Sequence, residues 1–266
     1  VSTLPVALCE ELEKNWWYVV QARDKQCPPL GDWFCWLIRT GRGWGKTVTG
    51  AEYIIDRVKR GYHRIALVGQ TKADVRDTMI ELGPSSILKR SSAKVYPGLP
   101  SYEPSKRRVT WPNGATAVAF SGDEPDQLRG PEHDTAWVDE PAKFKYPQET
   151  WDNLEFGLRS SPHPRIVATT TPRPIPFIKR LIADPRTADV TGSTYENKDN
   201  LPAAFIKRLE QKYEGTHLGR QEIHGEILDD MEGALWTRDV LEGTRQSDHP
   251  DLVRIAVGVD PAASTG

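Results

Sequence analysis

Apolar residues in this chain come in short unbroken runs, and between the runs they recur every three or four positions. The runs fall at residues 33–38, Arg64–Gly69, 135–138 and Arg165–Thr170. Each is short and bounded by turn residues, so each predicts a buried strand. Between them, residues 48–59 place Ala51, Ile54, Ile55 and Val58 on one helical face, and residues 72–82 predict a second helix. Residues 107–111 and 115–120 flank Pro112-Asn113-Gly114, a hairpin signal. Strands alternating with helices place the chain in the α/β class, with a mainly parallel central sheet covered on both faces.

Outside that core the pattern changes. Leu8, Leu12, Trp16, Val19 and Val20 sit at helical spacing and predict an amphipathic helix from near Pro5. Residues 195–230 turn helical and charged, with Phe205, Leu209 and Tyr213 on one face, and predict a small helical lid subdomain after a core spanning 1–194. Residues 231–252 read as a linker. Residues 253–266 begin a further strand with nothing behind it, so a longer protein is expected.

Composition narrows the function classes. At 266 residues and 38% apolar content the chain can build one large core plus a small satellite. The formal net charge is −2, whereas a protein that coats nucleic acid is usually basic. That argues against static coating and leaves room for a motor that grips a strand through few residues. Cys9, Cys27 and Cys35 are odd in number and form no CxxC pair, so reduced thiols are expected. No apolar run reaches the roughly 18 residues of a membrane span. The first fourteen residues carry Glu10, Glu11 and Glu13, unlike a secretory signal, and the cytoplasm is expected.

The strongest chemical signal is Gly41-Arg42-Gly43-Trp44-Gly45-Lys46-Thr47, set between a predicted strand and a predicted helix. Backbone N–H groups of such a loop, with the helix N-terminus, bind phosphate oxygens. Gly43 and Gly45 lack side chains that would block the approach. Lys46 can reach β- and γ-phosphates and Thr47 can ligate Mg²⁺. The usual pattern begins with a glycine where Thr40 stands here. Arg42 either reaches the γ-phosphate, braces a carboxylate, or is a solvated arginine. Trp44 is bulky for such a loop and is expected to pack outward against a neighbour.

Roughly ninety residues on, Asp139 and Glu140 end a predicted buried strand, on the sheet edge where ligands collect. Asp139 would hold Mg²⁺ and Glu140 would orient an attacking water, since phosphoryl transfer needs positioning more than covalent help. Thr171 closes another strand with a hydroxyl that can sense a γ-phosphate, although threonine is also simply a good strand former. Arg129, in a loop before the acidic strand, either stabilises transition-state charge within its own subunit or a neighbour's, or forms a surface ion pair. Gln26 either reads an adenine edge or is an ordinary turn residue.

Taken together these residues resemble the large terminase subunit of tailed bacteriophages and related gene-transfer particles. The likeness runs through Gln26–Trp33, Gly41–Thr47, Tyr102–Arg108, Trp111–Gly114, Asp126–Pro131, Trp137–Glu140, Thr169–Pro174 and Gly192–Asn197. The resemblance implies a P-loop NTPase of the ASCE type that uses ATP and Mg²⁺, with Arg129 as an arginine finger inserted into a neighbour, Thr171 at the end of a coupling motif, and Gln26 as the adenine-reading residue. The implied partners are double-stranded DNA, a portal protein and a small terminase subunit. The implied assembly is a homo-oligomeric ring of five at the procapsid portal in the host cytoplasm. It also implies a following RNase H-like nuclease domain, whose first metal-binding aspartate Asp260 matches; this chain is expected to hydrolyse ATP and not to cut DNA. Two other readings stand beside it, a helicase-like nucleic-acid-dependent ATPase and a non-hydrolysing nucleotide switch.

Overall fold

The computed structural model describes residues 17–93, 96–213 and 216–227. The amphipathic helix predicted from near Pro5 falls almost wholly outside them. The linker at 231–252, the strand at 253–266 and Asp260 lie wholly outside.

Eight strands form one sheet. They are β1 (Cys35–Thr40), β2 (Arg64–Gly69), β3 (Ser101–Glu103), β4 (Arg108–Thr110), β5 (Thr116–Ser121), β6 (Thr135–Asp139), β7 (Arg165–Thr170) and β8 (Thr187–Gly192). Their spatial order is β3-β4-β5-β2-β6-β7-β1-β8. From β5 to β8 every pairing is parallel, while β3 and β4 extend one edge antiparallel. The hairpin expected around Pro112–Gly114 is the β4–β5 pair.

The central strands are apolar throughout because both faces are covered. In β1, Trp36 and Ile38 point into one cluster with Tyr53, Ile54, Val58, Leu67, Met79 and Trp137. Their neighbours Cys35 and Leu37 point into the opposite cluster with Val68, Val138, Leu154, Ile166 and Phe177. The first layer is built on helix α1 (Lys46–Lys59), with α2 (Lys72–Asp74) and α3 (Ile87–Arg90); the second on α4 (Pro147–Gly157) and α5 (Pro176–Ala183). Within α1, Gly50 lies flat against the Trp137 ring, where any Cβ would overlap indole atoms. A short turn at Thr194–Asn200, then α6 (Ala203–Tyr213) and α7 (His217–Glu222), occupy the region predicted as helical and charged.

Three local features differ from the sequence expectation. The helix expected over 72–82 is regular only to Asp74 and widens to a π-helical stretch at Val75–Ile80. That widening brings Val75, Met79 and Ile80, spaced by four and one, into the core together. Strands β3 and β8 had no apolar run to mark them. Both are edge strands, and β8 alternates half-buried with exposed residues.

Candidate active site

In a parallel sheet all C-terminal strand ends open on one edge, and here β1, β2, β6 and β7 deliver the site residues to that edge. The loop after β1 turns at Gly43 (φ 73°) and Gly45 (φ 106°), backbone conformations that side chains disfavour. Gly45 immediately precedes α1 and offers no side chain to cap it. The first N–H groups of a helix have no intrahelical acceptor, so α1 begins with donors directed at the loop.

Lys46 folds back over this loop. Its ammonium donates to the Thr40 carbonyl at 2.8 Å, the Gly41 carbonyl at 3.2 Å and the Thr171 hydroxyl at 3.4 Å. Burial pushes its pKa below the ordinary lysine value, against the pull of Glu140 and Asp139. From the end of β7, Thr171 gives Glu140 two hydrogen bonds, from its backbone N–H and its hydroxyl, both at 3.1 Å; Thr170 adds a third at 3.4 Å. Glu140 itself stands at φ 53°, a left-handed conformation that costs a non-glycine residue energy. Thr169, paired with Asp139 across β6 and β7, donates to its carboxylate at 2.6 Å.

The charge balance points to a cation. Burial and the adjacent Glu140 carboxylate push Asp139 up to about 6, opposed by the Thr169 hydroxyl and Lys46. Two crowded carboxylates, one of them buried, are relieved by added positive charge. Two adjoining cavities, of about 560 Å³ and about 220 Å³, share Lys46, Thr47, Glu140 and Lys143 in their walls. The larger is of a size for a nucleotide. Asp139 lines the smaller one, and Arg42, Gly43, Trp44, Gly45 and Thr171 the larger. The residues present thus fit a phosphate chain at the loop and a divalent cation that Thr47 and Asp139 would hold.

The side chains of the remaining expected site residues are engaged by other parts of the fold. Arg42 points to α7 and pairs with Glu222 at 2.7 Å, with its side chain 66% exposed. Gly41 is a point of close approach, since a Cβ there would meet the Ile223 carbonyl. Trp44 packs inward, contrary to expectation: it is fully buried beside Gly192, with its indole N–H on Glu196 at 2.9 Å. Gly192 leaves room for that ring, a cue that only the folded contact reveals. Gln26 is 2% exposed and lines neither cavity. Its amide accepts from the Arg23 N–H at 3.2 Å and donates to the Thr49 hydroxyl at 2.9 Å. Arg129 lines neither cavity and rests on α4, near Asp126 (3.2 Å), Glu149 (3.8 Å) and Asn153 (3.4 Å).

Sequence reasoning passed over several residues that the structure brings to the site. Lys143, three residues after Glu140, lines both cavities, and its backbone N–H donates to the Glu140 carbonyl at 2.9 Å. Arg23 lies over the Trp44 ring at 4.8 Å and donates to the Trp44 carbonyl. Asn197 donates to the Gly43 carbonyl at 2.7 Å. Asn197 ends the Gly192–Asn197 stretch of the family likeness, which was the available signal.

Residues 37–242 match the family model described as "Terminase large subunit, T4likevirus-type, N-terminal". The chain belongs to this terminase family. No curated protein sequence matches it. Among solved structures, this terminase chain is similar to the large terminase from a thermophilic bacteriophage, with a TM-score of 0.61 and 14% identity over 82% of this chain and 53% of that one. The same phage protein in complex with ADP gives 0.59 and 16%, over the same shares. The large terminase ATPase domain of Thermus phage P74-26 gives 0.57 and 13%, over 77% of this chain and 93% of that one. At such identities the likeness establishes the fold, that of terminase ATPase domains. The terminase chain spans about half the length of the first of these structures.

Proposed function

We propose that this chain binds ATP with Mg²⁺ at the β1–α1 loop, hydrolyses it, and couples hydrolysis to double-stranded DNA translocation. The observation that carries the reading is the convergence of Lys46, Thr47, Glu140 and Thr171 on one cavity above the sheet edge. The ADP complex of the thermophilic phage protein, a fold relative, supports nucleotide as the ligand. Lys46 and the free N–H groups of α1 hold phosphate charge. Thr47 and Asp139 hold Mg²⁺, which when bound neutralises charge on the phosphates. Glu140, fixed by Thr170 and Thr171, orients the attacking water and accepts its proton. Arg129, on a surface away from the cavity, would act on a neighbouring subunit's site.

Membership of the terminase family supports the wider setting: a ring of about five copies at the procapsid portal in the host cytoplasm, with portal protein and small terminase subunit as partners. The nuclease function belongs to the longer protein, with Asp260 as one of its metal ligands. The test of the core proposal is phosphate release by Lys46→Ala and Glu140→Gln proteins. Both should lose turnover, and Glu140→Gln should still bind nucleotide; turnover surviving in both refutes the assignment.

A further inference from the structure

Beyond Glu140 the chain makes one tight turn, Pro141–Lys143, closed by the bond from the Lys143 N–H to the Glu140 carbonyl. A turn with that bonding brings residues three apart to the same side. Lys143 and Glu140 accordingly line both cavities together. The turn is held from beneath. Ala142 and Phe144 are buried, and the Phe144 ring rests against Gly122, where a Cβ would overlap ring atoms. The Lys145 N–H donates to the Asp123 carboxylate at 2.8 Å. The backbone at Lys143 is therefore fixed by its neighbours, and its side chain keeps the freedom.

The two lysines shared by the cavities differ in their commitments. Lys46 already donates to Thr40, Gly41 and Thr171. Lys143 is exposed, and its ammonium enters no hydrogen bond or ion pair among the described residues. Its charge nonetheless reaches the acidic pair: burial and Glu140 raise the Asp139 pKa, and the Thr169 hydroxyl, Lys46 and Lys143 pull it back. The cavities have opposite charge balance. Apart from Arg42, which Glu222 neutralises, the larger sets Lys46 and Lys143 against Glu140. The smaller sets the same lysines against Asp74, Asp139 and Glu140. The larger favours an anion and the smaller a cation, and Lys143 stands in the wall common to both.

We propose that Lys143 is a second phosphate-binding cation, which contacts the terminal phosphate of ATP bound in its own subunit. This rests on the nucleotide reading of the cavity. A water held by Glu140 must face the terminal phosphorus, so the side chain three residues beyond Glu140 meets the terminal phosphoryl oxygens and not those nearer the ribose. A flexible stem carrying three rotatable donors suits a group that is present before hydrolysis and leaves after it. Lys143 thereby distinguishes triphosphate from diphosphate.

Equilibrium titration of dilute protein with ATPγS and with ADP, both with Mg²⁺, tests this without reference to turnover. Lys143→Met keeps the stem and removes the charge. It should weaken ATPγS about tenfold, the effect of one charge-assisted hydrogen bond, and leave ADP within about twofold. Lys143→Arg should restore most of the ATPγS affinity. The melting temperature should not move, because the side chain is exposed. Lys145→Met, outside both cavities, controls for lost surface charge and should change neither affinity. A Lys143→Met protein whose ATPγS affinity stays within about twofold of the parent, or whose ADP affinity falls in step, overturns the proposal. Lys46→Ala separates the two levels. If it weakens both nucleotides while Lys143→Met changes neither, only the Lys143 assignment fails; if it weakens neither, the nucleotide reading of the cavity fails first.

Discussion

Thr171→Val is the sharpest probe of how β7 serves the acidic pair. Thr171 is 7% exposed, and valine has nearly its shape, so the change removes a hydroxyl and leaves the packing of the strand end in place. The hydroxyl donates to Glu140 Oε1 at 3.1 Å and receives Lys46 at 3.4 Å, while the backbone N–H of Thr171 still holds Oε2 at 3.1 Å. The carboxylate would then keep one firm anchor and the longer contact from Thr170, on a residue whose own backbone is strained at φ 53°. A hydrogen bond to a charged group contributes about 1.5–3 kcal/mol. If that contribution is expressed in the transition state, turnover falls about 10- to 150-fold. Because the lost bond positions Glu140, equilibrium binding of ATPγS should shift by less than about threefold. Steady-state phosphate release at saturating ATP reads the first quantity and titration the second, with Thr171→Ser restoring turnover. Turnover within about twofold of the parent chain, or binding lost in step with turnover, would refute the positioning role.

Further predictions come from the same structure. Burial lowers His133 to about 4 from an ordinary 6.5, so the unfolded chain takes a proton that the folded chain refuses. That stability is complete above pH 6.5 and is lost as pH falls toward 4, by at most about 3 kcal/mol. Asp139, raised to about 6 from 3.8, works in the opposite sense, so the difference in urea midpoints between the wild-type chain and His133→Phe across pH 7 to 5 isolates the histidine. Trp44→Ala should cost about 3–5 kcal/mol, since it empties a fully buried site and takes the indole donor from Glu196, and thermal unfolding will read it. Arg129→Ala should leave the melting temperature within about 1 °C, because its ion pairs are exposed, and should lower phosphate release only under conditions where subunits assemble; an equal loss in dilute protein places the arginine's action within its own chain.

Local chemistry was legible without coordinates wherever a residue acts through its place in the chain. The glycines at 43 and 45, Lys46 and Thr47 sit at a strand-to-helix turn, and their spacing alone predicts a phosphate-binding loop. The apolar runs of β1, β2, β6 and β7 were equally plain, since strands covered on both faces need continuous apolar sequence. Edge strands escaped notice because they lack that requirement: β8 is polar in alternation, yet its last residue, Gly192, makes room for Trp44. The tertiary structure alone decided the contacts between distant segments. The inward turn of Trp44, the bonding of Gln26 to Thr49, and the contact of the Gly43 carbonyl with Asn197 join residues from about 20 to more than 150 positions apart. Periodicity reports which face of an element is buried. It carries no record of which buried neighbour takes up each polar atom, and that pairing sets what the cavity can bind.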